Sequence, residues 1–290
     1  MSLLKSKKIL ITGGSGYLGK HIAEMLLADQ HRITNIIHSS PALELMKYKK
    51  YDELHCSEID QSINSDIIIH CATNYGRDNF SHKKIFTPNL YLPLQLLIER
   101  FHIDKPFSFI NIDTSLDSAT SLYALSKNLF LCSAKETIKQ FKLQNIKFIN
   151  IKLEHFYGPD APKNNFITYL IESMREKAPR IELTQGEQER DFLYINDAVE
   201  AIKKIIDNLD VFDNGITKFE VGSGKNTSIK NAVLTIASFL SYDEENLIFG
   251  AKPYRDKEAM FSKVSMDKII NLGWLPKYSF EDGIKEILKK

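Results

Sequence analysis

The sequence has few cysteines, one tryptophan and no cluster of metal-ligating residues. Its 290 residues include three cysteines, one tryptophan and nine prolines. Cys56, Cys71 and Cys132 are odd in number and lie far apart, without the spacing of a metal site. This excludes a disulfide-stapled secreted domain, and we expect reduced, buried thiols and no bound metal.

The sequence also lacks an excess of either charge and any long apolar run. Its 38 basic and 37 acidic residues give a formal net charge of +1, so the positive charge that nucleic-acid binding requires is missing. No uncharged apolar run reaches the roughly 18 residues of a membrane-spanning helix. The first predicted strand begins too early to leave room for a signal peptide. We therefore predict a cytoplasmic protein without a nucleic-acid or membrane partner.

A strand pattern, a glycine turn and an amphipathic helix follow one another near the start of the chain. Gly13, Gly16 and Gly19 are spaced G-x-x-G-x-x-G between strand Lys8–Thr12 and helix Tyr17–Leu27. Such glycines permit a sharp turn, a close approach by a pyrophosphate and tight packing of helix on strand. The free amides of the helix N-terminus attract phosphate. We therefore predict a bound dinucleotide, with contacts from Gly13, Ser15, Gly16, Tyr17, Leu18 and Gly19.

Strand and helix patterns alternate through the first half, which predicts an α/β fold with helices on both faces of a doubly wound, Rossmann-type parallel sheet. The predicted strands are Lys8–Thr12, Ile33–Ile37, Glu53–Ser57, Ile67–Cys71, Phe107–Ile112 and Phe148–Leu153. The predicted helices in this half are Tyr17–Leu27, Leu90–Phe101 and Leu122–Phe141. The pattern changes after residue 158. We expect a dinucleotide-binding domain at 1–158 plus about 190–212, and a smaller, discontinuous substrate lobe at about 159–189 and 213–290.

Tyr123 and Lys127 lie four residues apart, on one face of a predicted helix. A cation near a phenol, helped by an oxidised nicotinamide, lowers the phenol pKa from about 10 toward neutrality. The phenol can then exchange a proton near the working pH. Such a pair also occurs on ordinary surface helices, but here it follows both the glycine turn and a strand ending in Asp113-Thr114-Ser115. The predicted catalytic residues are therefore Tyr123, Lys127 and Thr114.

These motifs occur in an order that resembles a known family. They are the glycine turn, His70-Cys71-Ala72-Thr73, Asn89, Thr114, Tyr123 with Lys127, Tyr157-Gly158-Pro159 and Arg190-Asp191-Phe192. The series resembles the extended short-chain dehydrogenases/reductases, the NAD(P)-dependent epimerase/dehydratase family, over nearly the whole chain. The resemblance implies that Tyr123 donates a proton, Thr114 binds the reacting oxygen and Lys127 binds the nicotinamide ribose.

The resemblance also implies further cofactor contacts, from His38, Ser39, Ser40, Glu58, Ile59, Cys71, Ala72, Thr73, Asn89 and His155. NAD enzymes usually carry an acidic residue after the second strand for the adenosine ribose. The polar His38-Ser39-Ser40 there favours NADPH over NAD. Three of these interpretations have alternatives. The acidic residue at the adenine is either Glu58 or Asp60. Asn89 either fixes the active-site backbone or caps a helix, and His70 either belongs to the site or is a structural residue.

Longer matches within the family resemble nucleotide-sugar 4-ketoreductases. They are His70–Gly76, Leu153–Pro159, Gly186–Phe192, Arg255–Ser262 and Gly273–Pro276. A nucleotide-diphosphate sugar is the implied substrate, because guanidinium groups pair well with a diphosphate. The predicted substrate residues are Thr114, Asn165, Arg190 and Arg255. The alternative is a surface ion pair for Arg255 and a structural salt bridge between the lobes for Arg190. Water-eliminating members carry an Asp-Glu pair after the threonine, so Ser115 and Leu116 disfavour a dehydratase.

The sequence thus predicts NADPH-dependent reduction of the C4 ketone of a nucleotide-linked 4-keto-6-deoxy or 3,6-dideoxy sugar, for surface-polysaccharide synthesis. A 4-epimerase that retains NAD is the alternative of the same class. A non-catalytic NAD(P)-binding sensor or scaffold is the alternative of another class. Helices Leu90–Phe101 and Leu122–Phe141 are apolar around much of their circumference, and the resemblance implies a homodimer through a four-helix bundle. Burial within one chain is the other explanation.

Overall fold

The computed structural model describes residues 6–38, 41–59, 63–76, 81–103, 105–141, 145–255 and 258–289. The strands are β1 (Lys8–Thr12), β2 (Arg32–Ile37), β3 (Tyr51–His55), β4 (Ile67–His70), β5 (Phe107–Thr114), β6 (Ile146–Leu153), β7 (His155–Tyr157), β8 (Ile181–Glu182), β9 (Glu189–Tyr194), β10 (Gly215–Val221), β11 (Asn226–Ser228) and β12 (Leu247–Ile248). The α-helices are α1 (Tyr17–Ala28), α2 (His82–Phe86), α3 (Leu92–Phe101), α4 (Leu122–Gln140), α5 (Phe166–Arg175), α6 (Ile195–Asp207), α7 (Ile229–Leu240), α8 (Asp267–Asn271) and α9 (Phe280–Leu288). A π-helical turn spans Thr87–Tyr91, and short 3₁₀ turns span Cys56–Glu58, Leu209–Val211 and Glu244–Asn246.

Within the described residues, the main sheet has seven strands in the order β10-β6-β5-β4-β1-β2-β3. β1 pairs in parallel with β2 and with β4, and the pairs β2–β3 and β4–β5 are also parallel. This confirms the predicted Rossmann-type α/β fold. Because β1, β4 and β5 run in the same direction, their carboxyl ends lie at one edge of the sheet, where ligands bind in such folds. The glycine turn, the Cys71 segment and Thr114 are at that edge.

The chain forms two compact units. The first comprises residues 1–152 and 202–219, and the second comprises 153–201 and 220–290. Within the second unit, β9 pairs in parallel with β7 and antiparallel with β11, and β8 pairs in parallel with β12. These pairings group residues 190–201 with the second unit. The domain boundaries expected from the sequence remain a prediction.

One helix begins differently from its sequence prediction. Residues 90–101 were expected to form one helix, but α3 begins at Leu92 and a π-helical turn precedes it. Pro93 has no N–H to donate to the carbonyl four residues earlier, and its ring would crowd that carbonyl. A wider π turn relieves the crowding. The resulting turn contains Asn89, which is buried.

Two further expectations concern burial and strand position. The expectation of buried thiols is wrong for Cys132, which is exposed, while Cys56 and Cys71 are half-buried. The strand predicted at Glu53–Ser57 lies two residues earlier, at Tyr51–His55.

The described part of the chain contains no helix long and apolar enough to cross a membrane. Among the same residues, no group of three His, Cys, Asp or Glu side chains could hold a metal ion.

A buried arginine ties together three chain segments in the first unit. Arg100, near the end of α3, is only 1% exposed. Its guanidinium donates to the carbonyls of Ser65 at 3.2 Å, Ile103 at 2.9 Å and Pro106 at 3.4 Å. It also lies 4.5 Å from the ring centre of Phe107. One side chain thus joins three carbonyls that precede β4 and β5, and among the described residues only that of Ile103 has a further donor, the Lys105 amide.

Replacing this arginine should destabilise the fold. Arg100→Met fills similar space but removes the side-chain donor from the buried carbonyls of Ser65 and Pro106, while Ile103 keeps the bond from the Lys105 amide. We therefore expect a loss of about 3 kcal/mol in the free energy of unfolding. Arg175→Met, at an exposed position at the end of α5, is the matched control and should cost less than about 0.5 kcal/mol. Urea unfolding followed by circular dichroism measures both. Equal midpoints for the two variants would contradict this account.

Candidate active site

The glycine turn after β1 packs against the backbone that follows β4. Gly13 has a φ of +73°, and a Cβ placed there would lie 2.7 Å from the Ala72 nitrogen. A Cβ on Gly19 would lie 2.1 Å from the carbonyl oxygen of Gly13. Side chains at these positions would therefore force the turn open. Among the described residues, no side chain caps the N-terminus of α1, which begins directly after Gly16. A backbone cradle of this kind suits a pyrophosphate.

Asn35 on β2 fixes the glycine turn, although the sequence analysis gave it no role. Its Oδ1 accepts a hydrogen bond from the Gly14 amide at 3.0 Å, and its Nδ2 donates to the Tyr51 hydroxyl at 3.0 Å. Tyr51 in turn donates to Oε1 of Glu53 at 2.7 Å, and this oxygen also accepts from the Ala42 amide. Burial and the bond to Glu53 raise the pKa of Tyr51. The signal in the sequence is an asparagine within an apolar strand.

The predicted catalytic helix, α4, begins with a side-chain cap. Ser121 accepts a hydrogen bond from the Ala124 amide at 3.1 Å, which satisfies one free N–H of the first turn. Tyr123 and Lys127 follow on the same face of the helix. Their spacing thus places both side chains beside the carboxyl end of β5.

Lys127 is only 2% exposed, and its Nζ donates to the Ile112 carbonyl at 2.8 Å. Burial lowers its pKa to about 8, while the carboxylate of Asp113 acts in the opposite direction. The Cys71 thiol is itself held protonated, because burial raises its pKa to about 12. An ammonium has three N–H donors, and the described residues accept one of them. The remaining donors fit the hydroxyls of a nicotinamide ribose.

Tyr123 lies near two hydroxyl side chains. Those of Thr114 and Thr73 act to lower the pKa of its phenol. Burial is the larger effect and raises the pKa, helped by Tyr75 and Asp113. The Tyr75 ring lies 4.9 Å from the Tyr123 ring, tilted by 48°. In the protein alone the phenol pKa is therefore raised, the reverse of the lowering expected with Lys127 and an oxidised nicotinamide beside it.

Thr114 is held by buried polar groups on β5 and β6. Asp113 accepts a hydrogen bond from the Thr114 amide at 2.8 Å and another from Nδ2 of Asn150 at 2.8 Å. Asn111 donates to Oδ1 of Asn150 at 2.7 Å. Asp113, Asn111 and Asn150 are all buried. Sequence reasoning missed the two asparagines, and the available signal was their polarity within otherwise apolar strands.

Asn89 organises the segment after β4. Its Oδ1 accepts from the Thr73 hydroxyl and from the Asn74 amide, each at 3.0 Å. Its Nδ2 donates to the Asn74 carbonyl and to Oγ of Ser126, each at 2.9 Å. Ser126 in turn donates to the Tyr123 carbonyl at 2.7 Å. Asn89 therefore fixes the active-site backbone, and the alternative interpretation as a helix cap is wrong.

His70 supports the backbone that follows β4 through a hydroxyl on β1. Its Nδ1 lies 2.8 Å from the Thr12 hydroxyl, which accepts from the Ala72 amide at 3.2 Å. Burial and the nearby Lys127 hold the His70 pKa well below its usual value, so the ring is neutral. This favours the structural interpretation of His70.

The residues predicted at the adenosine end lie beyond β2 and β3. The ring of His38 stacks on that of His55 with centres 6.4 Å apart, and Nε2 of His55 lies 3.0 Å from the His38 carbonyl. Glu58 accepts from the His55 amide at 3.0 Å, as part of a capping box. Ile59 is buried in the hydrophobic core. Ser39, Ser40 and Asp60 lie outside the described residues.

The remaining predicted residues belong to the second unit. His155 is exposed on β7, with Nδ1 3.6 Å from the Glu154 carboxylate. Asn165 caps α5 by accepting from the Ile167 amide at 3.0 Å, and it donates to the Phe156 carbonyl at 3.3 Å.

The two arginines predicted to bind substrate lie in one region of this unit. The partly buried Arg190 forms an ion pair with Glu258 and donates to the Ala259 carbonyl. Arg255 is exposed, and its carbonyl accepts from the Glu258 amide at 3.0 Å. The ion pair of Arg190 lies within the second unit and is therefore not the bridge between lobes given as its alternative, and the structure brings Arg255 close to it.

Comparisons with known proteins identify the family of the chain. The profile of the NAD dependent epimerase/dehydratase family matches residues 9–222. CDP-abequose synthase of Salmonella typhimurium is 29% identical over 100% of both chains, and that of Salmonella muenchen is 30% identical over 98% of this chain and 97% of its own. The structure of UDP-glucuronic acid 4-epimerase from Bacillus cereus, in complex with UDP-glucuronic acid and NAD, matches with a TM-score of 0.80 at 21% identity. That match covers 97% of this chain and 99% of the other and shows a shared fold. The chain therefore belongs to the NAD-dependent epimerase/dehydratase family and is an enzyme of the NAD(P)-dependent oxidoreductase type.

Proposed function

We propose that the protein reduces the C4 ketone of a nucleotide-linked 4-keto deoxy sugar with NADPH, in the synthesis of surface-polysaccharide sugars. The observation that carries this proposal is the position of Tyr123 on the same face of α4 as the buried Lys127 and near Thr114, whose hydroxyl lowers the pKa of the phenol. Full-length similarity to two proteins named CDP-abequose synthase supports a CDP-linked sugar as the substrate.

Bound NADPH supplies the hydride for such a reduction. Tyr123 holds the proton that the sugar oxygen needs, and Thr114 hydrogen-bonds the same oxygen. Lys127 holds the nicotinamide ribose with the N–H donors that Ile112 does not use. The pyrophosphate rests on the amides between Gly13 and α1.

The substrate diphosphate is assigned to Arg190 and Arg255. Both guanidinium groups lie in the second unit, and Arg190 is paired with Glu258. Binding of a diphosphate at Arg190 requires the ion pair between Arg190 and Glu258 to break. Asn165 stays a predicted contact, although its amide already serves α5 and Phe156.

The position after Thr114 separates this reaction from water elimination. Leu116 occupies the place where the resemblance puts a glutamate in dehydratases, and its amide donates to Oγ1 of Thr114 at 3.2 Å. Neither Ser115 nor Leu116 can act as a carboxylate acid or base. Reduction and epimerisation need no such carboxylate, because Tyr123 and Thr114 act on the sugar oxygen together with the cofactor that Lys127 is proposed to hold.

Cofactor consumption tests the proposed reaction. With a CDP-linked 4-keto-3,6-dideoxyhexose, we expect one NADPH to be oxidised for each C4 alcohol formed, measured by NADPH absorbance and mass spectrometry. Tyr123→Phe removes the proton donor and should lower kcat by about 10³-fold. Tyr169→Phe, on a half-exposed ring of α5, is the matched control and should turn over at the wild-type rate. Interconversion of C4 epimers by enzyme with tightly bound NAD, without added cofactor, would instead establish an epimerase.

NADPH preference is assigned to the region of His38. The carboxylate of Glu53 already accepts hydrogen bonds from the Ala42 amide and the Tyr51 hydroxyl. The imidazoles of His38 and His55 are therefore the groups proposed to bind the 2′-phosphate of NADPH.

Steady-state kinetics with each cofactor test this assignment. We expect kcat/KM for NADPH to exceed that for NADH by about tenfold or more, since a hydrogen bond to a charged group contributes about 1.5–3 kcal/mol. His38→Ala should lower the NADPH value and leave the NADH value unchanged, and the exposed His102→Ala should change neither. A wild-type preference for NADH would contradict the assignment.

A homodimer through α3 and α4 is also proposed. Ile98 and Tyr91 lie seven residues apart on one face of the helical run, and they are 37% and 59% exposed. Leu129 and Cys132 are exposed three residues apart on α4. Apolar side chains exposed on two packed helices are suited to pairing with a second copy in a four-helix bundle.

Sedimentation measures this association directly. The 33.3-kDa chain should sediment at twice that mass, and Ile98→Glu with Leu129→Glu should give the monomer, because the charges would be buried at the interface. Leu275→Glu, at a residue 61% exposed in the second unit, should leave the mass unchanged. A wild-type monomer at micromolar concentration would refute the dimer.

A further inference from the structure

A second tyrosine ring packs against the ring of the proposed proton donor. The ring centres of Tyr75 and Tyr123 are 4.9 Å apart, and the rings are tilted by 48°. This is the distance and angle of a direct aromatic contact. Tyr75 is nevertheless 43% exposed, so it keeps solvent-accessible surface next to the phenol. An apolar ring thus borders the group that meets the sugar oxygen in the proposed reaction.

The backbone on both sides of Tyr75 is fixed. Asn89 accepts a hydrogen bond from the Asn74 amide at 3.0 Å and donates to the Asn74 carbonyl at 2.9 Å. Oδ1 of Asn74 accepts from the Gly76 amide at 2.8 Å, which closes a turn around Tyr75. Gly76 has a φ of +68°, and a Cβ placed there would lie 2.7 Å from Cδ1 of Ile85. Tyr75 is therefore carried by a turn with one defined geometry.

The same asparagine positions the helix that carries Tyr123. Nδ2 of Asn89 donates to Oγ of Ser126 at 2.9 Å, and Ser126 donates to the Tyr123 carbonyl at 2.7 Å. Asn89 and Ser126 are both buried, so water does not compete for these bonds. One buried side chain thus holds the backbone near both rings before any sugar binds, and a surface arranged in advance loses little entropy on binding.

We propose that Tyr75 is a specificity-determining residue whose ring packs against C3 of the sugar and selects a 4-keto-3,6-dideoxy sugar over its 3-hydroxylated counterpart. C3 is bonded directly to C4, whose oxygen is assigned to Tyr123, and the Tyr75 ring contacts the Tyr123 ring. The inference deepens the proposed function, because it rests on Tyr123 as the residue that meets the C4 oxygen.

The selection follows from what an aromatic ring offers to each sugar. The face of a ring packs well against C–H groups, and a methylene at C3 presents such groups. A hydroxyl at C3 would lose its water against the same face without gaining a hydrogen-bond partner, which is unfavourable. The ring therefore favours the sugar that has no oxygen on the carbon next to the ketone.

Two substrates that differ only at C3 test the proposal. They are a CDP-linked 4-keto-3,6-dideoxyhexose and the corresponding CDP-linked 4-keto-6-deoxyhexose, each supplied with NADPH. Apolar sites discriminate against an added hydroxyl by up to about 10²-fold, and we expect kcat/KM to favour the dideoxy sugar by about tenfold or more. Tyr75→Ala removes the ring and should reduce that ratio to about twofold or less. A merely structural defect would instead lower both values equally and keep the ratio.

Two further variants show whether the ring itself is responsible. Tyr75→Phe keeps the ring and removes only the hydroxyl, so it should keep the wild-type ratio. Tyr169→Ala, at a tyrosine of α5 that is 42% exposed, is the matched control and should also leave the ratio unchanged. If Tyr75→Ala does not fold, Tyr75→Gln takes its place, because its amide offers a hydrogen bond to a C3 hydroxyl, and the ratio should fall in the same way.

Calorimetry measures the same preference without turnover. The NADP⁺-bound enzyme should bind the C4 alcohol of the dideoxy sugar about tenfold more tightly than that of the 3-hydroxylated sugar, and Tyr75→Ala should abolish the difference. This result in an enzyme that reduces neither ketone would refute the proposed function and leave the role of Tyr75 intact. Ketone reduction with equal kcat/KM for the two sugars, an unchanged ratio in Tyr75→Ala, or a ratio lost in Tyr75→Phe would overturn the inference.

Discussion

Burial of the Tyr123 phenol is the constraint on which the rest of the site depends. A buried phenol loses its proton with difficulty, because the anion is deprived of water. Burial is the largest influence on Tyr123 and raises its pKa, against the two threonine hydroxyls. Proton donation therefore needs further stabilisation of the phenolate. In the proposed mechanism this stabilisation comes from Lys127 and from the positive charge of an oxidised nicotinamide, which would couple the protonation of Tyr123 to the state of the cofactor.

The hydrogen bonds around the site are required for the same reason, which is the loss of contact with water. Polar groups that orient reacting atoms must themselves be buried, and a buried polar group without a partner costs about 1–3 kcal/mol. Asn89 uses both atoms of its amide in four hydrogen bonds. The carboxylate of Asp113 accepts hydrogen bonds from the Thr114 amide and from Nδ2 of Asn150. Networks satisfied in this way hold the strand ends and α4 in one geometry, which is what an active site at a sheet edge requires.

Features that depend on local chemistry could be predicted from the sequence. The glycine turn is local, because Gly13 needs a positive φ and close packing on Ala72, and the spacing of Tyr123 and Lys127 is local to one helix. The partners of Asn35, Asn89 and Asn150 lie on other elements, so strand order and register decide them. The π turn arises from the crowding that Pro93 imposes on the preceding helix, and a periodicity pattern does not reveal it. Thr73 is predicted from the sequence only as a cofactor contact, because its bond to Asn89 joins two segments that are 16 residues apart.

The structure of a ternary complex with NADP⁺ and the C4 alcohol of a CDP-linked dideoxy sugar is the most direct test. The account predicts that the phenol oxygen of Tyr123 lies within about 3 Å of the C4 oxygen, with Oγ1 of Thr114 on the same atom and Nζ of Lys127 on the ribose hydroxyls. A C4 oxygen bound by other groups, with the phenol facing a different part of the sugar, would contradict it.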